Sequence, residues 1–116
     1  MRIRMALVAF SYFILPKCGY ADVPVEKIYG TYCVQCHGLR RNGTGINLPG
    51  LSTKPRDHTD SKGMGDTPDD ELSKAIKEGG LAVNKSVLMP SWEGVLSDDE
   101  ITELVKYLRT VCHCGK

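Results

Sequence analysis

The pentapeptide Cys33-Val34-Gln35-Cys36-His37 decides how this chain folds. Its two cysteines stand three positions apart, so on one helical turn both thiols lie on the same face. From that face each thiol can add to one of the two vinyl groups of a haem, and His37 is then held under the iron. The spacing therefore predicts one covalent haem c, attached through Cys33 and Cys36, with His37 as an iron ligand.

Other chemistries use the same residue types. Two cysteines that meet by chance form an ordinary disulfide or remain buried thiols. A thioredoxin-like redox pair needs a βαβ context, which this chain lacks. A structural zinc site would combine the pair with Cys112-His113-Cys114, but that tripeptide has one residue between its cysteines rather than the usual two to four. The pentapeptide favours haem over all three.

Length and charge narrow the class of protein further. The chain has 116 residues, with 15 basic and 14 acidic side chains and a net charge of +1. This balance excludes a strongly basic nucleic-acid-binding protein, so no nucleic acid is expected among its partners. A domain of this size buries too little surface to rely on its own core. A bulky covalent cofactor would supply the missing core.

Residues 1–21 have the pattern of a signal peptide, with two arginines, an apolar run over residues 5–15 and small residues near Ala21. The apolar run is shorter than the ~20 residues that a membrane-spanning helix needs. We expect export to the periplasm and cleavage after Ala21. The alternatives are an uncleaved anchor and a lipid on Cys18, and the charged Lys17 beside that cysteine argues against the lipid.

Cleavage would change the charge and the cysteine count of the chain. It removes three basic residues and no acidic residue, which leaves 12 basic and 14 acidic side chains and a net charge of −2. Four cysteines remain in an oxidising compartment: Cys33, Cys36, Cys112 and Cys114.

The rest of the chain shows helical signals separated by an irregular stretch. An apolar stripe at helical spacing runs into Cys33 and consists of Val25, Ile28, Tyr29 and Tyr32. Residues 38–65 show no periodicity, and the many glycines predict one long loop. A compact domain rarely contains so long a loop unless the loop wraps something.

Two later helices have start signals. Thr67-Pro68-Asp69-Asp70 predicts a helix with Thr67 as N-cap and Pro68 in the first position, and Gly79-Gly80 ends it. Ser97-Asp98-Asp99-Glu100 is a capping box before an apolar stripe. No stretch alternates like a half-buried strand. We predict an all-α domain over residues 22–111, with about three to five short helices wrapped around one haem, and a Cys-His-Cys tail over residues 112–116.

A second axial ligand is the next question for the iron. Met89 stands between the two later helices, and Pro90 fixes the backbone after it, so the loop can present sulfur rigidly. A methionine that fills the core is the usual alternative. Met64, between two glycines, is a weaker candidate. His58 or His113 would give a bis-histidine site of lower potential.

Here the chain resembles a family, the small monohaem class I cytochromes c of the bacterial periplasm, which are similar in layout to mitochondrial cytochrome c. The resemblance covers residues 25–108. It rests on Tyr29-Gly30-Thr31-Tyr32-Cys33-Val34-Gln35-Cys36-His37-Gly38, Leu48-Pro49-Gly50-Leu51, Met89-Pro90-Ser91-Trp92, Leu96-Ser97-Asp98-Asp99-Glu100-Ile101 and Tyr107-Leu108-Arg109. It implies the cytochrome c fold.

The resemblance also implies roles for residues around the haem. Pro49 follows His37 by twelve positions and matches the proline whose carbonyl accepts a hydrogen bond from the ligand histidine. Leu51 matches a residue packed on the haem edge. Trp92 and Arg56 are candidate neighbours of the haem propionates, although an exposed side chain is the simpler interpretation of Arg56.

The same resemblance places Tyr29 and Tyr107 where the first and last helices cross. The family usually has glycine four residues before Tyr29, and this chain has Val25 there. A wider crossing, or Gly30 in place of the missing glycine, would accommodate that difference.

Cys112-His113-Cys114 lies beyond the family core. In an oxidising compartment we expect these thiols to be paired. A local disulfide is favoured first, a disulfide between two chains second, and binding of copper or another soft metal third.

The predicted function is outer-sphere electron transfer. A haem with two protein ligands leaves no open site for a substrate, so we expect an electron carrier and not an enzyme. Its partners would be other redox proteins, which also provide its only contact with a membrane. The alternatives are a dedicated haem c subunit of an oxidoreductase complex, and a haem sensor or enzyme with a labile sixth ligand.

Overall fold

The computed structural model describes residues 23–115, which fold into five α-helices. These are α1 (Val25–Tyr32), α2 (Val34–His37), α3 (Ser61–Gly65), α4 (Asp69–Glu78) and α5 (Asp98–Val111), with 3-10 turns at Leu48–Gly50 and Gly80–Val83. Within the described residues no strand forms, and only an isolated bridge joins Glu93 to Leu96. The all-α prediction is confirmed. The predicted signal peptide, residues 1–21, lies outside the described residues.

The pentapeptide lies on almost continuous helical backbone. α1 ends at Tyr32, and Cys33 joins it to α2. The backbone N–H of Cys33 donates to the carbonyl of Tyr29 at 2.9 Å, and that of His37 donates to the carbonyl of Cys33 at 2.9 Å. The helical turn that the cysteine spacing requires is therefore formed.

Residues 38–65, predicted to form one irregular loop, contain a 3-10 turn and α3. α3 has five residues, two of them glycines, so it is too short to show a helical period in the sequence. It begins at an N-cap, because the carboxylate of Asp60 accepts a hydrogen bond from the N–H of Gly63 at 3.1 Å. The loop also returns to the pentapeptide: a Cβ on Gly45 would collide with the carbonyl of Gln35.

α4 begins one residue later than predicted, after Pro68, and Thr67 is not its cap. The hydroxyl of Thr67 donates instead to the carbonyl of Gly63 at 2.9 Å, which ties the start of α4 to α3. The predicted end is confirmed. Gly79 has φ +88°, a conformation that L residues with a side chain rarely adopt.

α5 begins with the predicted capping box, in which Ser97 and Glu100 bond reciprocally. Its apolar stripe is buried and forms much of the core, with Ile101, Leu104, Val105 and Leu108. α5 packs against α1, where Tyr29 and Tyr107 meet with ring centroids 5.4 Å apart. A Cβ on Gly30 would meet no atom within 4 Å, so Gly30 does not serve the helix crossing.

The Cys-His-Cys tail packs onto the domain. Cys112 and Cys114 form a disulfide with their Cα atoms 5.2 Å apart, so the local pairing is the one that occurs. Cys112 is fully buried within the core, and its carbonyl accepts a hydrogen bond from the hydroxyl of Ser61 at 2.5 Å. The tail therefore fastens the end of α5 to the start of α3.

Candidate functional site

Cys33 and Cys36 are free thiols on the same stretch of helix, and both are half-buried. Burial, with the charge of Cys36 adding to it, raises the pKa of the Cys33 thiol to about 11. The thiolate is the form that makes disulfides, so a protonated thiol is less prone to pair with its neighbour. Two free thiols at this spacing fit the attachment chemistry that the sequence predicted.

His37 is oriented by a backbone carbonyl. Its Nδ1 lies 3.0 Å from the carbonyl oxygen of Arg56. A carbonyl only accepts, so Nδ1 carries the proton and donates, and Nε2 keeps a free lone pair. Burial lowers the pKa of His37, which keeps the ring neutral, while the bond to Arg56 acts in the opposite direction. A neutral imidazole with a free nitrogen is the form that binds iron.

The acceptor from His37 corrects one prediction. The resemblance assigned this hydrogen bond to the carbonyl of Pro49, but the structure gives it to Arg56, seven residues later. Pro49 is exposed in the 3-10 turn Leu48–Gly50, and Leu51 after it is half-buried. The proline spacing therefore pointed to the correct kind of contact but to the wrong residue.

The side chain of Arg56 also has a defined place. Its guanidinium donates to the carbonyl of Gly63 at 2.5 Å and to the hydroxyl of Thr67 at 2.8 Å. These bonds join the segment that holds His37 to α3 and to the start of α4. Arg56 is thus a structural link, and the described contacts do not require the propionate role that the resemblance offered.

His58 lies directly against His37. The two imidazole rings are stacked with centroids 4.1 Å apart and an interplanar angle of 19°. Burial, reinforced by the charges of His37 and Arg56, lowers the pKa of His58 to about 3, so this ring is neutral. Two axial histidines must face each other across the iron, and stacked rings do not. In this arrangement His58 is a neighbour of the ligand and not the opposite ligand.

The two methionines differ in their surroundings. Met64 is fully buried in the hydrophobic core, which matches the ordinary role of this residue type. Met89 is half-buried in the turn before Pro90, and its carbonyl accepts a hydrogen bond from the N–H of Gly80 at 3.0 Å. Met89 remains the predicted sixth ligand.

Trp92 brings the methionine segment toward the pentapeptide. Its ring packs against Tyr32, the residue before Cys33, with centroids 5.1 Å apart. Its backbone N–H donates to the carbonyl of Ile76 at 3.2 Å, which holds the segment against α4. The segment 89–92 and the first attachment cysteine are therefore neighbours in space although more than fifty residues separate them in sequence.

Metal binding by other clusters receives no support. Among residues 23–115, no group of three or more histidine, cysteine or acidic side chains is placed to hold a metal ion. The zinc alternative needed Cys112 and Cys114 as ligands, and these are joined in the disulfide. The same pairing removes them as soft-metal ligands.

The comparisons with known proteins agree with this geometry. Residues 23–108 match the family described as cytochrome C oxidase, cbb3-type, subunit III. The chain belongs to this family of c-type cytochrome domains. It is also similar to a solved structure, the KustC0563 c-type cytochrome, with 26% identity, a TM-score of 0.60, and coverage of 81% of this chain and 100% of that one. No curated protein matches the chain.

Membership of the family identifies the cofactor. A c-type cytochrome domain binds haem c covalently, and this cytochrome presents two free thiols and a histidine with a free Nε2 to hold it. When bound, the haem iron supplies one-electron exchange between Fe(II) and Fe(III). Within the described part of the cytochrome, no helix has the length and apolar character needed to cross a bilayer.

Sequence reasoning missed two residues of this site. The carbonyl of Arg56 has no signature in a sequence, because every residue has a carbonyl. His58 was visible as a histidine but was considered only as an iron ligand. Its stacking on His37 depends on how residues 38–58 fold back onto α2.

Proposed function

We propose that this cytochrome is a periplasmic electron-transfer protein that passes single electrons through a haem c with His37 and Met89 as axial ligands. One observation carries the proposal. His37 follows the two free thiols directly, and its Nδ1–H is held by the Arg56 carbonyl, so that Nε2 is free for iron. A hydrogen bond at the outer nitrogen orients a ligating histidine and raises its basicity.

Location in the periplasm is supported by the sequence. Residues 1–21 have the charged, apolar and small-residue regions of an exported protein. The disulfide between Cys112 and Cys114 is consistent with an oxidising compartment.

Ligation by Met89 is supported by its partial exposure and by the contrast with the buried Met64. A sulfur ligand opposite His37 raises the reduction potential and occupies the second axial position. With both positions occupied there is no site for a substrate on the iron. The cytochrome then acts as an electron carrier and not as an enzyme.

The donor and acceptor would dock beside the pentapeptide. Leu39 and Ile46 are 80% and 83% exposed and border a surface depression of about 520 Å³. Residues 38–56 carry four basic side chains and no acidic one, whereas residues 57–103 carry twelve acidic and four basic side chains. Of these basic residues Arg40 lines the same depression, whereas the guanidinium groups of Arg41 and Arg56 bond within the domain. Apolar side chains beside Arg40 fit redox proteins whose contact surface is acidic, and such encounters slow as salt is added.

The test uses optical spectra of the mature protein, co-expressed with a haem-attachment system, in its oxidised and reduced forms. Met89→Leu is compared with Met64→Leu as a matched control, because each removes one sulfur and keeps an apolar side chain. We expect haem that resists acid-acetone extraction in all three proteins. The weak long-wavelength band of an iron–methionine bond should vanish only in Met89→Leu.

Two results would contradict the proposal. Covalent haem whose spectrum ignores Met89→Leu would assign the sixth position elsewhere and reopen the sensor or enzyme alternative, which carbon monoxide binding by the reduced wild-type protein would then reveal. Absence of covalent haem from the wild-type protein would refute the proposal altogether.

A dedicated haem c subunit is the second candidate function. The family description, an oxidase subunit, favours it. A permanent subunit would co-purify with one enzyme through washing in high salt, whereas a mobile carrier would be released.

A further inference from the structure

The three residues Arg56-Asp57-His58 make two separate contacts with the ligand histidine. The carbonyl of Arg56 accepts from Nδ1 of His37, and the ring of His58 lies flat on the His37 ring at a centroid distance of 4.1 Å. The first contact fixes one edge of the ring. The second contact fixes the plane of the His37 ring, because a flat neighbour at van der Waals distance prevents this ring from turning about its hydrogen bond to Arg56.

His58 is itself buried and held by two hydrogen bonds. Only 9% of its surface is exposed. Its Nδ1 is hydrogen-bonded to the hydroxyl of Tyr29 at 3.0 Å, and its backbone N–H donates to the carbonyl of Arg41 at 2.7 Å. A ring anchored at its backbone and at its edge is a rigid support for the ring beneath it.

The anchor of His58 reaches the centre of the domain. Tyr29 is almost fully buried and packs on Tyr107, whose hydroxyl accepts a hydrogen bond from Nε of Arg41 at 2.5 Å. Arg41 thus contacts His58 through its carbonyl and Tyr107 through its guanidinium. The position of the His58 ring is therefore set by the crossing of α1 and α5.

We propose that His58 is a positioning residue for the iron ligand: anchored by Tyr29, it fixes the rotation of the His37 ring about its bond to the iron. The inference rests on the proposed function in one respect, that His37 ligates the haem iron. The plane of an axial imidazole sets the orientation of the half-filled iron orbital in Fe(III). The four haem methyl groups then carry unequal unpaired spin density. This inequality appears in proton NMR as a spread of the four methyl shifts.

Three variants of the full-length haem protein separate the effect of the stacked His58 ring from the effect of its hydrogen bond to Tyr29. His58→Leu removes both the flat ring and the bond to Tyr29. His58→Phe keeps a flat ring and loses the bond, and Tyr29→Phe keeps the stacked histidine and loses the bond. His113→Leu is the matched control, because His113 is exposed in the tail beyond α5, between Cys112 and Cys114.

The readouts are the spread of the haem methyl shifts in the oxidised protein and the midpoint potential. We expect the largest change in the methyl spread for His58→Leu, with an accompanying shift of the potential. Smaller changes are expected in His58→Phe and Tyr29→Phe, and none in His113→Leu. If His58→Phe recovers most of the methyl spread that His58→Leu loses, the effect is assigned to stacking. A purely structural role of His58 predicts no such recovery.

The inference fails if His58→Leu carries a full complement of haem and shows the methyl spread and the potential of the wild type. If His58→Leu does not fold, Tyr29→Phe decides: a wild-type methyl spread and potential in that variant would refute the proposal that Tyr29 anchors the His58 ring. Failure of the proposed function is distinguishable. Absence of covalent haem from the wild-type protein would refute both proposals, whereas a sixth ligand other than Met89 would leave His37 on the iron and the test of His58 unchanged.

Discussion

The segment that holds His37 and the segment that carries Met89 are fixed in different ways. His37 contacts Arg56 and His58, which lie 19 and 21 residues away in sequence, and Tyr29 supports them from α1. The backbone of Met89 bonds to Ser86 and Gly80, within nine residues. The histidine side therefore depends on contacts that are distant in sequence, whereas the backbone of Met89 is fixed by a local turn, and its segment meets α4 and Tyr32 through Trp92.

Exposure reinforces this difference. The residue two positions before Met89, Val87, is 71% exposed, while Tyr29 and His58 on the other side are buried. Regions with few buried contacts open at lower free energy than the core around them. We expect the methionine side to open first, before the helices unfold and while His37 is still held.

The largest effect is expected from weakening the core under the histidine side. Leu104 is 1% exposed on α5, which packs on α1, and Leu104→Ala should lower the free energy of unfolding by about 2–5 kcal/mol. The measurement is denaturant unfolding followed by helicity and by the long-wavelength iron–methionine band. In the wild type the band should vanish at a lower denaturant concentration than helicity does. Leu104→Ala should reduce the difference between these two denaturant concentrations.

Val87→Ala provides the control on the exposed side, where a substitution should change the free energy of unfolding by less than about 0.5 kcal/mol. Simultaneous loss of the band and of helicity in the wild type would contradict the comparison of the two sides.

A smaller effect is expected at Gly79, which ends α4 beside Met89. A Cβ on Gly79 would lie 3.0 Å from the carbonyl oxygen of Met89, and its φ of +88° adds strain. Gly79→Ala should cost about 1–3 kcal/mol, because φ +88° with ψ 168° is a conformation that is essentially restricted to glycine. It should also displace Met89, which weakens the iron–methionine band.

Gly94 is the matched control for Gly79. Its φ is +79°, but a Cβ there would meet nothing within 4 Å. Gly94→Ala should lose a similar amount of stability and keep the band. Equal spectra for the two variants would show that contact with the Met89 carbonyl does not place the sulfur.

The same division separates what the sequence predicted from what it did not. The attachment pentapeptide, the capping box at Ser97 and the stop at Gly79 all act within a few residues, so their signals are complete in the local sequence. The all-α fold followed from those signals. Thr67 shows the limit of such reasoning, because its hydroxyl has a cap-like position but bonds to Gly63 of the preceding helix.

The contacts around His37 could not be predicted in the same way. The choice between Pro49 and Arg56 as the acceptor depends on the path of residues 38–58, which decides which carbonyl of this loop lies beside His37 in α2. Spacing counted along the chain cannot measure that path, since the 3-10 turn at Leu48–Gly50 and the return at Gly45 shorten it. The stacking of His58 depends on the same path.

The smallest effect, and one of opposite sign, is expected at Gly30. This glycine is exposed in the interior of α1, and a Cβ there would meet no atom within 4 Å. Gly30→Ala should therefore raise the free energy of unfolding by about 0.5–1 kcal/mol, because alanine restricts the unfolded chain and favours the helix. Although Tyr32 of α1 packs on Trp92, the backbone hydrogen bonds of Met89 run to Gly80 and Ser86. Helicity should therefore persist to higher denaturant while the iron–methionine band disappears where it does in the wild type. A destabilised variant would mean that a partner surface or the cofactor covers this face of α1, and a band that moved together with helicity would mean that the two sides of the site open as one unit.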